Sequence, residues 1–191
     1  MFKKEVPPVI PSRDMVVGTP EAPVHLVVFG DYESPETRAL HEVIETVLDG
    51  FAGKINFTFR HFPLTTIHQR AHKAAEAAIA AGQEGKFWEM HRQLMAHPHD
   101  LGIISLKAHA REAGVVNKKF LDQLMNSDFG WQVQDDLRDG LALGIRDIPA
   151  LLINGKPIDK PFTLPRIQKI IRQQLKDKDR PSLNGNERAA A

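Results

Sequence analysis

The stretch Ser34-Pro35-Glu36-Thr37 sets two hydroxyl side chains among charged neighbours. It carries a hydroxyl at each end, three positions apart, where a helix is expected to begin. Main-chain N–H groups at a helix N-terminus favour negative charge, so a bound anion or an ionised nucleophile is stabilised there. The same residues also make a good helix start. Ser34 suits the N-cap, Pro35 the first helical position and Glu36 the positive end of the dipole. Asp31, Glu33 and Glu36 crowd this place with carboxylates, which Arg38 partly offsets.

Nine histidines raise the question of a metal. His68 and His72 are four apart, His61 lies nearby in sequence, and His97 and His99 flank Pro98. No carboxylate completes a ligand motif: His-Gln-Arg-Ala-His lacks the glutamate of the zinc-protease pattern, so no metal is expected. Phe87, Trp88, Phe129 and Trp131 are expected in packing rather than in stacking on a ligand. The sequence contains no glycine-rich phosphate loop, nucleophile triad spacing or paired-carboxylate motif.

Composition narrows the chemistry further. The 191 residues include no cysteine, which excludes disulfides, thiolate metal sites and cysteine nucleophiles. The formal net charge is +1, from 25 Lys+Arg and 24 Asp+Glu, and argues against nucleic acid or an acidic membrane surface as main partner. No apolar run approaches the roughly 20 residues of a membrane helix. Prolines interrupt the start, where a secretory signal would need about 7–15 apolar residues. A cytoplasmic protein is the default expectation.

The elements that must hold Ser34 in place are legible from periodicity. Val24 to Phe29 is a short apolar, β-branched run closed by Gly30-Asp31, a buried strand. Leu40, Val43, Ile44, Val47 and Leu48 follow Ser34 at helical spacing until Gly50 and Gly53. Residues 55–61 alternate as a second strand. Helices are expected over 71–81, 87–95, 104–113, 117–126 and 129–143. A strand over 150–153 follows Pro149, and Asn154-Gly155 turns the chain into a hairpin partner. A last amphipathic helix runs over 164–175. The sequence thus divides into an extended N-terminal arm (1–23), a core (24–62 and 145–176), an inserted helical subdomain (63–144) and a disordered tail (177–191). The βαβ…ββα order makes the fold class α/β.

Several blocks carry a family likeness. Gly18-Thr19-Pro20-Glu21-Ala22-Pro23-Val24 leads into Val28 to Pro35, followed by Phe59-Arg60-His61-Phe62-Pro63-Leu64, Lys73 to Ala78 and Gly85 to His91. Gly144 to Ala150 and Ile153-Asn154-Gly155 complete the series. Over about residues 14–175 the chain resembles the DsbA-like thioredoxin-fold proteins, a likeness that implies a thioredoxin-like fold with an inserted helical subdomain. That family's chemistry lies in a Cys-Pro-x-Cys motif, whose helix-stabilised thiolate exchanges with substrate disulfides. Ser34-Pro35-Glu36-Thr37 stands in its place, so the family's exchange reaction is excluded and no catalytic residue is assigned. The likeness implies a cis bond before Pro149 and a shallow surface of Tyr32, Ser34, Pro35, Ile148 and Pro149 that pairs with an extended peptide. Without the resemblance, Pro149 reads as a strand start.

Three functions follow as expectations. One is a redox-inactive module binding a peptide or protein. The second is a glutathione-dependent transferase or isomerase using Ser34, on a likeness to kappa-class glutathione transferases; the nearby carboxylates oppose it by raising a bound thiol's pKa. The third is a regulatory or scaffold homodimer.

Overall fold

A computed structural model describes residues 9–179. β1 (Val16–Gly18), β2 (Val24–Gly30), β3 (Ile55–His61), β4 (Ala150–Ile153) and β5 (Lys156–Ile158) form one sheet in the order β1-β3-β2-β4-β5. The long apolar run β2 takes the central position, where both faces are covered. It pairs parallel to β3 and antiparallel to β4. The parallel pair requires a crossover, which α1 (Pro35–Gly50) supplies. Asn154 and Gly155 both take positive φ in the β4–β5 turn. The last helix, α7 (Leu164–Asp179), packs against α1 and β2.

Between β3 and β4 lie α2 (Ala71–Gly82), α3 (Phe87–Ala96), α4 (Ile103–Glu112), α5 (Phe120–Met125) and α6 (Gly130–Ala142). Ten of the twelve residues of α2 are buried. Its alanines let α3, α4, α5 and α6 approach closely around it. The main core runs unbroken from Phe57 and Phe59 of the sheet to Ala77 and Met90 of the insertion. A smaller cluster of Phe29, Phe62, Ile145, Ile148 and Leu152 supports the chain ahead of β4. Among the described residues no helix is long and apolar enough to cross a membrane.

Four expectations change. Val16–Gly18 of the expected N-terminal arm join the sheet, because β1 pairs antiparallel with the otherwise free edge of β3; residues 1–8 of that arm lie outside the described residues. Gly18 ends β1 at φ +93°, and a Cβ there would lie 2.6 Å from the Ile55 carbonyl oxygen. The helix expected over 117–126 starts only at Phe120, because the Asn117 side chain accepts a hydrogen bond from the Lys119 N–H at 3.0 Å in a local turn. Residues 177–179 of the expected tail continue α7, where Gln173 donates to Asp177 at 2.8 Å one turn on. The rest of that tail lies outside the described residues. Trp131 is 53% exposed rather than packed, whereas Phe129 is buried and Trp88 lies against Phe57 and Phe87.

Candidate functional site

Ser34 caps α1 as its residue type predicts. Its Oγ accepts the Thr37 N–H at 3.1 Å and donates to Glu36 Oε2 at 3.2 Å. The Ser34 N–H donates to the Asp31 carbonyl at 3.1 Å, closing a turn between β2 and α1. Thr37 is fully buried and its Oγ1 accepts the Asp31 N–H at 3.3 Å. Gly30 makes room for it, since a Cβ there would sit 2.5 Å from Thr37 Cγ2. Both hydroxyls are therefore engaged in holding the helix start. Ser34 is 4% exposed and its proton points to a carboxylate, so it offers a bound thiolate no free donor.

Asp31 fixes the turn from below. Its buried carboxylate accepts the N–H of Glu33, the N–H of Leu64 and His68 Nδ1, each at 2.8 Å. Glu33 accepts the Arg70 N–H at 2.7 Å. The loop after β3 is thus fastened to the turn before α1. His68 lies in that loop, ahead of α2, and His72 pairs instead with Glu76 at 3.3 Å. Among the described residues no group of three histidine or acidic side chains is arranged to hold a metal ion.

Of the five residues expected on the shared surface, only Pro35 is exposed. Tyr32 is 1% exposed, a correction with a clear cause. Its ring packs against Phe59 and His61, and its hydroxyl meets His91 Nδ1 at 2.9 Å. Ile148 and Pro149 are also buried, Ile148 within the cluster around Phe29 and Phe62. The Ile148–Pro149 bond is cis. The register Phe29↔Ala150 puts this loop and the turn before α1 at the same end of the sheet. What this end offers to solvent is Pro35, Glu36, Arg146 and Asp147. Lys160 reaches across to Asp147 and donates to the Ile148 carbonyl at 3.4 Å.

Two buried polar networks stand behind the site, and sequence reading missed both. In the first, Tyr32, His91 and His41 form a chain, with His91 Nε2 3.3 Å from His41 Nδ1. Donation from Tyr32 to His91 to His41 leaves both rings neutral. Burial, with Arg92 nearby and against the pull of Glu42, holds His41 down at about 4. Burial also places His91 well below, and the Tyr32 phenol well above, their ordinary values. In the second, Asp136 of α6 accepts from Ser12 Oγ at 2.7 Å, Arg60 Nε at 2.6 Å and His61 N–H at 3.0 Å, and contacts His61 Nδ1 at 2.9 Å. Burial pushes its carboxyl up, but the hydrogen bonds and charges of His61 and Arg60 outweigh that and bring it to about 2. The only sequence signal for either was the position of His61 and His91 inside family-like blocks.

The family model described as Thioredoxin matches residues 12–173. The chain belongs to the thioredoxin family. Within the family's solved structures it is similar to oxidised BdbD from Bacillus subtilis, with a TM-score of 0.78 and 24% identity over 87% of this chain and 96% of that one. It is likewise similar to the thiol-disulfide exchange protein alpha-DsbA2 from Wolbachia pipientis, with a TM-score of 0.70 and 21% identity over 83% and 85% of the two chains. These likenesses show the DsbA-like thioredoxin fold, here built without a cysteine. Among curated proteins it is similar to the Na(+)/H(+) antiporter NhaA 1 of Mycolicibacterium gilvum, 38% identical over 152 residues. The protein of the same name from Salinispora arenicola is 35% identical over 149 residues. The match takes in 78% of this chain in both cases but only 24% and 23% of those proteins, so the chain spans about a quarter of their length.

Proposed function

We propose that this chain is a redox-inert thioredoxin-family module that binds an extended segment of a protein partner at the end of the sheet where Ser34 and Pro149 meet. The observation that carries the reading is the hydrogen bonding of Ser34 and Thr37. Both hydroxyls serve the helix start, the chain has no cysteine, and the Ser34 hydroxyl proton is spent on Glu36 Oε2. The fold is retained around a site without exchange chemistry, which leaves binding as its use. Pro35, Glu36, Arg146 and Asp147, exposed at this end of the sheet, are the residues an extended segment would meet. Lys160 stands over the Ile148 carbonyl through one long hydrogen bond, which an incoming N–H can replace. The curated relatives favour a protein partner, because there the matched stretch is part of a longer chain named as an antiporter.

The test has two arms. In an insulin-reduction assay the chain should give no turnover above buffer. In NMR titrations with a panel of unstructured peptides, amide shifts should cluster at residues 33–38 and 146–149. Lys160→Ala should tighten the binding by freeing the Ile148 carbonyl. Turnover in the first arm, or shifts confined to other surfaces in the second, would sink the reading.

A further inference from the structure

A second surface lies on the helical insertion, away from Ser34. α4, the loop after it and α5 enclose a half-open groove of about 480 Å³. Its floor includes Ala110 and Phe120, both buried, and its lips carry Ile104 and Val116, which are 77% and 82% exposed. Lys107, Arg111 and Lys118 also line it, and no carboxylate does. Among the described residues Lys107 and Lys118 form no ion pair. Arg111 meets only its neighbour Glu112 at 3.4 Å, between two exposed side chains, a contact of little energetic weight. Glu84 is committed beneath the loop, where it accepts the N–H of Val116 at 3.0 Å and of Asn117 at 3.2 Å. It holds the loop that forms the groove's wall and leaves the rim basic.

We propose that this groove docks an acidic, amphipathic helix of a partner protein. Charge complementarity selects an occupant with carboxylates on both sides of an apolar stripe. The walls are helices and their connecting loop, with no strand edge for an extended segment to pair with, so a helix inserting side chains is the mode that fits. A bilayer meets protruding side chains and leaves a concavity unfilled; the floor at Phe120 is reached only by an inserted side chain. The inference is independent of the Ser34 surface, since no residue of 30–38 or 145–149 lines the groove.

The probe is a fluorescent synthetic helix of about 18 residues with leucines at i, i+3, i+4 and i+7 and glutamates on the flanks. Its counterpart carries lysines in place of the glutamates. Vesicles of mixed phosphatidylcholine and phosphatidylglycerol form a third arm. Anisotropy with the full chain should show saturable binding of the glutamate peptide, with amide shifts on α4 and α5 of the unsubstituted protein. The combined Lys107→Glu, Arg111→Glu and Lys118→Glu variant should weaken it roughly tenfold or more and favour the lysine peptide instead. Val116→Asp should weaken the glutamate peptide, by removing an apolar lip and adding a like charge. All these positions are exposed, and circular dichroism checks the fold of each variant. Equal binding of the two peptides, shifts elsewhere, no saturable binding, or capture by vesicles alone would overturn the proposal.

Discussion

Ser34 accepts a hydrogen bond from the Thr37 N–H, so its stability role is separable from any chemistry. Ser34→Ala should cost about 1 kcal/mol, the usual value for an N-cap, measured by urea denaturation. A Ser34→Cys/Thr37→Cys variant should gain measurable insulin reduction, because α1 already presents its N-terminus to position 34. It should be slow at neutral pH. Glu36 lies against the position 34 side chain and Asp31 and Glu33 are nearby in sequence, which disfavours a thiolate. His41 permits a pH prediction. Its folded value of about 4 lies below its ordinary 6.5, so the unfolded chain binds the proton first. This group's contribution is fully favourable above pH 6.5 and is lost as pH falls towards 4, by about 3 kcal/mol at most. Urea midpoints at pH 7 and pH 4.5 should therefore converge in His41→Gln relative to the parent.

α2 is the element whose role depends most on side-chain size. Its alanines face α3, α4, α5 and α6, and Ala77 has no exposed surface. Ala77→Leu should destabilise the protein by about 1–3 kcal/mol through overpacking, seen as a lower thermal midpoint. The amphipathic character of α1 and the apolar run of β2 are local properties, and both elements could be bounded from sequence almost to the residue. β1 could not. Three residues carry too little alternation to mark a strand, and Val16–Gly18 becomes one only because β3 has an unpaired edge beside it. The late start of α5 has the opposite character: the competing Asn117 turn is a local signal that residue type alone could have disclosed.

Across the whole molecule, Asp136 ties the insertion to the sheet and to the N-terminal segment through Arg60, His61 and Ser12. Asp136→Asn should cost about 1–3 kcal/mol, because it removes the charged acceptor of Arg60 Nε and His61, while Arg60 keeps Asp139 at 2.7 Å. The parent carboxyl lies at about 2 against an ordinary 3.8. Its contribution is thus present above pH 3.8 and lost as pH falls towards 2, and the variant should lack that acid limb in calorimetry. The sequence by itself determined the thioredoxin-like frame, the capped start of α1 and the exclusion of disulfide exchange. Those follow from local periodicity, the family-like blocks, capping chemistry and the absence of cysteine. Only the tertiary structure decided which side chains reach solvent. Tyr32 and Ile148 share a sheet end with Ser34 as their positions suggest, yet they are buried by Phe59, Phe62 and His91 from distant parts of the chain. Burial depends on neighbours brought together by folding, and no window of sequence contains them.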